Sequence, residues 1–90
     1  MYDEIKSVIE IDIEAIESQT KDVSNSSRME IARLITYQNR VLGKIYVYGQ
    51  LTGNKKQAQE YYEKIKETGK NMKNQLGSGF FLRLDQVVPE

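Results

Sequence analysis

The sequence predicts an all-α fold: a three-helix bundle built on a long helical hairpin, with a partly extended apolar C-terminal tail. Apolar residues recur at three- and four-residue spacing through most of the chain, which indicates amphipathic helices. Turn-forming segments at 18–27 and 51–54 separate three such pieces, and Gly77-Ser78-Gly79 detaches the last eleven residues. We therefore predict a helical bundle domain at residues 1–76, and a flexible linker with an apolar tail at residues 77–90. Short connections favour antiparallel packing of neighbouring helices.

The composition limits the classes of function. The chain has 90 residues, 39% hydrophobic and 29% charged, with 13 basic and 13 acidic side chains. This suits one globular domain and argues against a disordered charged tail. Cysteine and histidine are absent, which excludes disulfides, thiolate zinc sites and histidine acid–base chemistry. A chain of this size hides only about two-thirds of its unfolded surface, so self-association is a reasonable expectation.

The first piece fits two interpretations. Residues 9–14 alternate between isoleucine and acidic residues, as in a half-buried strand. A helix accounts for the whole piece, because one helical face then carries Ile5, Ile9, Ile13 and Ile16. We predict the helix. Its apolar arc is wide, so either two neighbours cover it or Ile11 is exposed.

The second piece gives the strongest helix prediction. Ser27 and Glu30 form a capping-box pattern before an apolar stripe, and the helix is predicted from about 28 to 51. The stripe comprises Ile31, Leu34, Ile35, Val41, Leu42, Ile45 and Tyr48. Gln38 falls inside the stripe, which predicts a buried polar contact. A helix of this length is expected to overhang a compact monomer and to leave apolar surface for another chain.

The third piece repeats the pattern from residue 54 to about 76. Gly53 suits a left-handed helix end and Asn54 suits an N-cap. The stripe comprises Ala58, Tyr61, Tyr62, Ile65, Met72 and Leu76. Gly69 lies within it, which indicates either a close helix crossing or weaker last turns.

The zero net charge is unevenly distributed. Residues 1–22 carry a balance of −5 and residues 23–50 a balance of +3. A basic stripe with one aromatic ring follows the second helix at Arg33, Tyr37, Arg40 and Lys44. We interpret it as the complement of the acidic first helix, or of a second subunit. The alternative is nucleic-acid binding, since cations can follow phosphates while tyrosine stacks on a base. A neutral protein is unusual for that role.

Carboxylates are the only numerous candidates for catalysis. They form two groups, one of Glu10, Glu14 and Glu17 and the other of Glu60 and Glu63. A magnesium-dependent helical nucleotide hydrolase would aim such groups into a shared cavity. Both groups point away from their apolar stripes, so we interpret them as solvated faces. We predict no metal, no cofactor and no enzyme activity, and keep the hydrolase as a remote alternative.

Tyrosines and the tail are the candidates for binding a protein partner. Tyr37, Tyr46 and Tyr48 lie on the second helix, and tyrosine is common both at core edges and at interfaces. The window 80–88 is the most apolar in the chain, with Phe80, Phe81, Leu82 and Leu84. It either folds back on its own bundle or docks on a neighbouring subunit.

The expected function is a non-enzymatic protein-interaction module that self-associates or binds a partner through the second helix and the tail. Assembly subunit, adaptor and small inhibitor are the roles that fit, and the size suits an accessory protein of a phage or another mobile element. The acidic N-terminus does not predict a signal peptide, and no apolar run reaches the ~20 residues of a membrane span. We therefore expect a cytoplasmic protein with no membrane partner.

Overall fold

The computed structural model describes residues 2–77, which fold into three helices. These are α1 (Asp3–Gln19), α2 (Arg28–Thr52) and α3 (Lys55–Leu76). Each helix packs against the other two, which confirms the predicted all-α three-helix bundle. Residues 9–14 belong to α1, so the helical interpretation of the first piece is confirmed. The predicted tail, including Phe80, Phe81, Leu82 and Leu84, lies outside the described residues.

The predicted signals at the helix ends are present. The Ser27 hydroxyl oxygen accepts a hydrogen bond from the Glu30 backbone N–H at 3.2 Å. The Glu30 carboxylate accepts from the Ser27 hydroxyl at 3.1 Å. Gly53 ends α2 in the left-handed region with φ 70°, and the Asn54 side chain then accepts from the Gln57 N–H at 3.2 Å. The Ser27 and Asn54 side chains each satisfy a backbone N–H that a helix N-terminus leaves without a partner, whereas the Gly53 N–H donates to the Gly49 carbonyl at the end of α2.

The buried apolar side chains form two clusters. The larger one lies where all three helices meet, and consists of Ile9, Ile13, Ile16, Val41, Ile45, Tyr48, Tyr61 and Ile65. The smaller one consists of Val23, Ile31, Leu34 and Met72. In α1 both predicted features occur together: the helix contacts two neighbours, and Ile11 on its far side is 65% exposed.

The loop between α1 and α2 covers the start of α2, where an overhang was expected. Val23 is 1% exposed and packs in the smaller cluster. Gln75 of α3 fixes the loop, because its Oε1 accepts from the Val23 N–H at 2.8 Å. Its Nε2 donates to the carbonyls of Thr20 at 2.9 Å and Lys21 at 3.2 Å. The predicted overhang is therefore wrong at this end of the bundle.

The close approach of α2 and α3 occurs at Gly49 and not at Gly69. A Cβ atom placed on Gly49 would lie 3.1 Å from the Cβ of Ala58. A Cβ on Gly69 would have nothing within 4 Å, so of the two alternatives for Gly69 the close helix crossing does not occur. The predicted buried polar contact at Gln38 is confirmed. Its Nε2 donates to Thr68 Oγ1 at 3.0 Å and links α2 to α3.

Candidate protein-interaction surface

An open groove runs between the beginning of α1 and the second half of α2. It encloses about 690 Å³. Its lining residues are Glu4, Ile5, Val8, Gly43, Lys44 and Val47. Because α1 and α2 are antiparallel, the first turns of α1 lie beside the last turns of α2. The groove therefore combines side chains that are far apart in sequence.

Two large exposed apolar side chains, Val8 and Val47, line this groove, and two more, Ile11 and Leu51, lie one turn further along α1 and α2. On α1 these are Val8 (45% exposed) and Ile11 (65%), and on α2 they are Val47 (48%) and Leu51 (49%). We call these four residues the α1–α2 strip. Single exposed apolar residues are ordinary, whereas several on one face with a groove between them are typical of an interaction surface.

Gly43 forms a notch at this face. It lies in the interior of α2, is exposed, and a Cβ placed on it would have nothing within 4 Å. An exposed glycine inside a helix costs ~1 kcal/mol relative to alanine, and packing within one copy does not require it. A missing side chain at this position lets the backbone of another helix approach α2 closely.

A polar network borders the strip and joins α1 to α2. The Asp12 carboxylate accepts a hydrogen bond from the Tyr37 hydroxyl at 2.5 Å, and the Lys44 ammonium donates to it at 2.9 Å. Asp12 is 8% exposed, so both of its partners matter for its charged form. Burial alone would raise the pKa of Asp12. The hydrogen bonds from Tyr37 and Lys44 and the positive charge of Lys44 outweigh burial, so the pKa lies below its usual value.

The network predicts an acid-dependent loss of stability. A carboxyl with a depressed pKa in the folded state stabilises the fold above its unfolded pKa of about 4, and this contribution is lost as the pH falls through the folded pKa. We expect Asp12→Asn to lower the free energy of unfolding at pH 7 by ~1–3 kcal/mol, because Tyr37 and Lys44 lose a charged acceptor. Urea unfolding measured between pH 7 and pH 2 tests this.

The matched control is Glu14→Gln, which removes a charge from an exposed position on the same helix. The control is expected to keep the wild-type acid dependence, whereas Asp12→Asn flattens it. Equal slopes in the two variants would mean that Asp12 does not supply the effect.

The basic stripe runs along the α1-facing side of α2. Two of its residues bind Asp12 and the other two are exposed. Tyr37 is half-buried, with its hydroxyl on Asp12, and Lys44 forms an ion pair with the same carboxylate. Arg40 is exposed, and Arg33 is exposed with an Nη 3.7 Å from the Met29 sulfur. Two of the four stripe residues therefore serve the fold. The expected pairing of acidic α1 with basic α2 occurs through Asp12, a residue that was not among the candidates.

The predicted partner-binding tyrosines separate into three environments. Tyr48 is 5% exposed, and its ring centroid lies 5.9 Å from that of Tyr61 at an interplanar angle of 58°. Its assignment to a binding surface is therefore wrong, since it belongs to the core. Tyr46 is 68% exposed and remains available. Tyr62, predicted in the apolar stripe of α3, is 40% exposed, with the Lys66 ammonium 5.2 Å from its ring centroid.

The carboxylate groups do not converge. Glu10 accepts a hydrogen bond from the Tyr61 hydroxyl at 3.1 Å, while Glu14, Glu17, Glu60 and Glu63 are exposed. Burial, followed by the Glu10 hydrogen bond and nearby negative charges, raises the pKa of Tyr61 to about 12. Within residues 2–77, no group of three acidic side chains could hold a metal ion.

Sequence reasoning missed Gly43, Val47 and Leu51 as surface residues. A signal for Asp12 existed, because it lies on the apolar face of α1 between Ile9 and Ile16, where a charge needs partners. Gly43, Val47 and Leu51 gave no such signal, because they fall outside the apolar stripe of α2. They become part of a surface only because α1 packs beside this part of α2.

Fold and surface together define a small all-α three-helix bundle, and residues 2–77 leave the α1–α2 strip exposed. No protein-family model, curated protein or solved structure matches this chain. In the part of the chain that the structure describes, none of the helices combines the length and apolar character needed to cross a membrane.

Proposed function

We propose that this chain is a non-enzymatic protein-interaction module that self-associates through the α1–α2 strip, with a second copy of the chain as the occupant. One observation carries the proposal: Val8 and Val47, each about half exposed, line one groove between α1 and α2, and Ile11 and Leu51 add exposed apolar surface one turn further along the same helices. Covering them would remove apolar area from water at about 25 cal/mol per Å². Among the roles that fit the sequence, an assembly subunit agrees best with such a face.

Charge complementarity favours a second copy as the occupant. The face places an acidic helix beside a basic one, with Glu4 and Glu14 exposed on α1 and Arg33 and Arg40 exposed on α2. A two-fold axis parallel to both helices lays α1 of one copy over α2 of the other, so acidic and basic flanks meet twice. A self-complementary patch of this kind is the requirement for an isologous dimer.

The same axis gives favourable helix directions. Since α1 and α2 are antiparallel within one copy, α1 of the second copy is also antiparallel to the α2 that it covers. All neighbouring helices at the interface then run antiparallel, as in four-helix bundles. An axis perpendicular to the helices would instead place α1 on α1 and bring acidic flanks together, which is unfavourable.

The axis also sets the register, because it keeps each residue at its own height along the bundle. The Asp12–Lys44 ion pair shows which heights correspond in α1 and α2. Ile11 of the second copy therefore falls level with Ile45, about 3 Å from the height of the notch at Gly43, and Val8 of the second copy falls level with Tyr48, next to Val47. A Cβ placed on Gly43 would have nothing within 4 Å, so a side chain of the second copy has room to approach α2 near this height.

Sedimentation equilibrium of the full chain and of Val47→Glu tests the proposal. The wild type is expected to dimerise, and Val47→Glu to weaken dimerisation about 100-fold or more, because a buried unpaired carboxylate costs several kcal/mol. The control Asn39→Glu adds the same charge at an exposed position of α2 outside the strip, and is expected to change little. A wild type that stays monomeric, or a dimer indifferent to Val47→Glu, overturns the proposal.

Charge exchange tests the orientation. Arg40→Glu is expected to weaken the dimer, and adding Glu14→Arg is expected to restore it, because the two residues lie on opposed flanks. If the double variant is weaker than Arg40→Glu alone, the proposed axis is wrong.

A further inference from the structure

A second groove lies between α2 and α3, and it shares no lining residue with the groove between α1 and α2. It encloses about 360 Å³. Its base is apolar and consists of buried or half-buried residues, which are Leu42, Ile45, Gly49 and Ala58. Its exposed lining residues are Tyr46, Gln50, Lys55, Gln59 and Tyr62. A ligand in this groove would therefore contact apolar surface at the base and aromatic or polar groups at the edges.

The groove has an exposed tyrosine on each wall. Tyr46 of α2 is 68% exposed and Tyr62 of α3 is 40% exposed. The two helices approach each other closely where Gly49 meets Ala58. Tyr46 precedes this glycine by three residues and Tyr62 follows this alanine by four, so in antiparallel helices both tyrosines lie about one turn from the contact, in the same direction. Exposed aromatic rings beside a groove are the platforms on which unpaired nucleic-acid bases stack.

Basic residues follow the rim of this groove and continue beyond it. Lys55 lines the groove, and the Lys66 ammonium lies 5.2 Å from the ring centroid of the groove tyrosine of α3. Lys73 follows two turns later, and on an ideal helix the three lysines lie within about 20° of each other around α3. Arg28 lies on the same side of α2 as Tyr46, eighteen residues or five turns before it. All four cations are exposed, and we call them the α2–α3 basic row.

The acidic side chains of α1 and α3 lie away from this row. On an ideal helix those of α3 lie about 60–140° around the axis from the three lysines, at Glu60, Glu63 and Glu67. α1, which carries six acidic residues, packs on the other side of the α2–α3 pair, where Asp12 binds Lys44. That ion pair is the one formed within residues 2–77, so no member of the row has a carboxylate partner there. The zero net charge of the chain therefore conceals a basic face.

We propose that this face binds single-stranded nucleic acid, with phosphates along the α2–α3 basic row and bases in the groove between the two tyrosines. A single strand offers negative charges and unstacked bases together, and the face offers cations and exposed rings together. A duplex keeps its bases stacked, and an acidic peptide gives the rings no flat partner. The basic stripe on the α1-facing side of α2 is a weaker candidate, because two of its four residues bind Asp12. The inference does not depend on the dimer, because the two grooves have no residue in common.

Fluorescence anisotropy of a labelled oligothymidylate of about 15 nucleotides tests the proposal with the full chain. We expect binding at low salt that weakens as salt is added, with a slope of about −2 to −3 when the logarithm of the association constant is plotted against that of the salt concentration. This slope corresponds to three or four neutralised phosphates at about −0.7 each. Absence of binding at low salt, or equal binding of a duplex of the same length, overturns the proposal.

Removal of two charges from the row tests the phosphate contacts. Lys66→Gln with Lys73→Gln is expected to weaken binding about 10-fold or more and to make the salt slope shallower by about 1.4. The matched control, Lys56→Gln with Lys64→Gln, removes two charges from exposed positions of α3 outside the row. The control changes the net charge equally and is expected to weaken binding less than about 3-fold. Equal losses in the two variants would mean that net charge alone is responsible, which overturns the proposal.

Tyr46→Ala tests whether bases stack in the groove. The variant is expected to bind the oligonucleotide about 5-fold or more weakly with an unchanged salt slope, because stacking on a ring is lost while the phosphate contacts remain. The control is Met29→Ala in the same helix, where the side chain is 66% exposed and does not line the groove. It is expected to bind as the wild type does. Binding that is indifferent to Tyr46→Ala, or an oligoglutamate peptide that binds as tightly as the oligonucleotide, would show that the face recognises charge alone and overturns the proposal.

Discussion

Replacing Ile9 with alanine is expected to lower the free energy of unfolding by ~2–5 kcal/mol. Ile9 is 0% exposed and lies in the larger core cluster, where α1 meets both α2 and α3. The substitution removes apolar contacts and leaves a cavity that three packed helices cannot easily close. A domain of this size has a total stability of roughly 5–13 kcal/mol, so the loss is a large fraction of it.

Urea unfolding followed by circular dichroism measures this loss, in protein dilute enough to be monomeric. The matched control is Ile11→Ala, two residues later on the same helix, where the side chain is 65% exposed. The control is expected to change stability by less than about 0.5 kcal/mol. If Ile9→Ala and Ile11→Ala cost the same, α1 does not pack as described.

Replacing Gly49 with leucine is expected to destabilise the bundle by ~3 kcal/mol or more, the upper range for overpacking a core. A Cβ at this position already lies 3.1 Å from the Ala58 Cβ, and the remaining side-chain atoms have no space between α2 and α3. Helix propensity works in the opposite direction, since leucine is better than glycine by most of 1 kcal/mol in a helix. Packing therefore decides the sign.

Gly43→Leu separates these two effects, because it is the same substitution in the same helix with nothing within 4 Å of the new Cβ. In dilute solution Gly43→Leu is expected to stabilise the fold by up to ~1 kcal/mol, and Gly49→Leu to raise the apparent unfolding rate and lower the melting temperature. Stabilisation by both substitutions would show that α2 and α3 do not approach closely at Gly49.

Much of the helical framework could be predicted because its signals are local. The Ser27 cap, the left-handed Gly53 and the Asn54 cap each act within a few residues of their partners. Apolar spacing likewise depends only on helix geometry, so it identified most of the core. Gln38 was predicted as buried and polar because it interrupts that spacing, although its partner Thr68 could not be named.

The errors arose where a contact depends on distant segments. Val23 stands alone in a polar loop, and only the carboxamide of Gln75 and the end of the bundle make it a core residue. Gly49 and Gly69 both lie in helix interiors, and the way α2 and α3 cross makes Gly49 the point of close approach. Tyr48 belongs to the apolar stripe of α2 and was also a candidate for partner binding, because tyrosine suits either environment. In the structure it packs in the core against the ring of Tyr61.

The sequence alone determined three helices, their caps, their apolar faces and a chain without cysteine or histidine chemistry. The tertiary structure decided which exposed residues share a face: it set acidic α1 beside basic α2, placed Val8 and Val47 along one groove, and gave Asp12 its partners. The physical reason is that helix formation depends on residues within one or two turns of each other, so the sequence alone can predict it. A surface between helices depends on their direction, rotation and height, which only the packing of the core fixes.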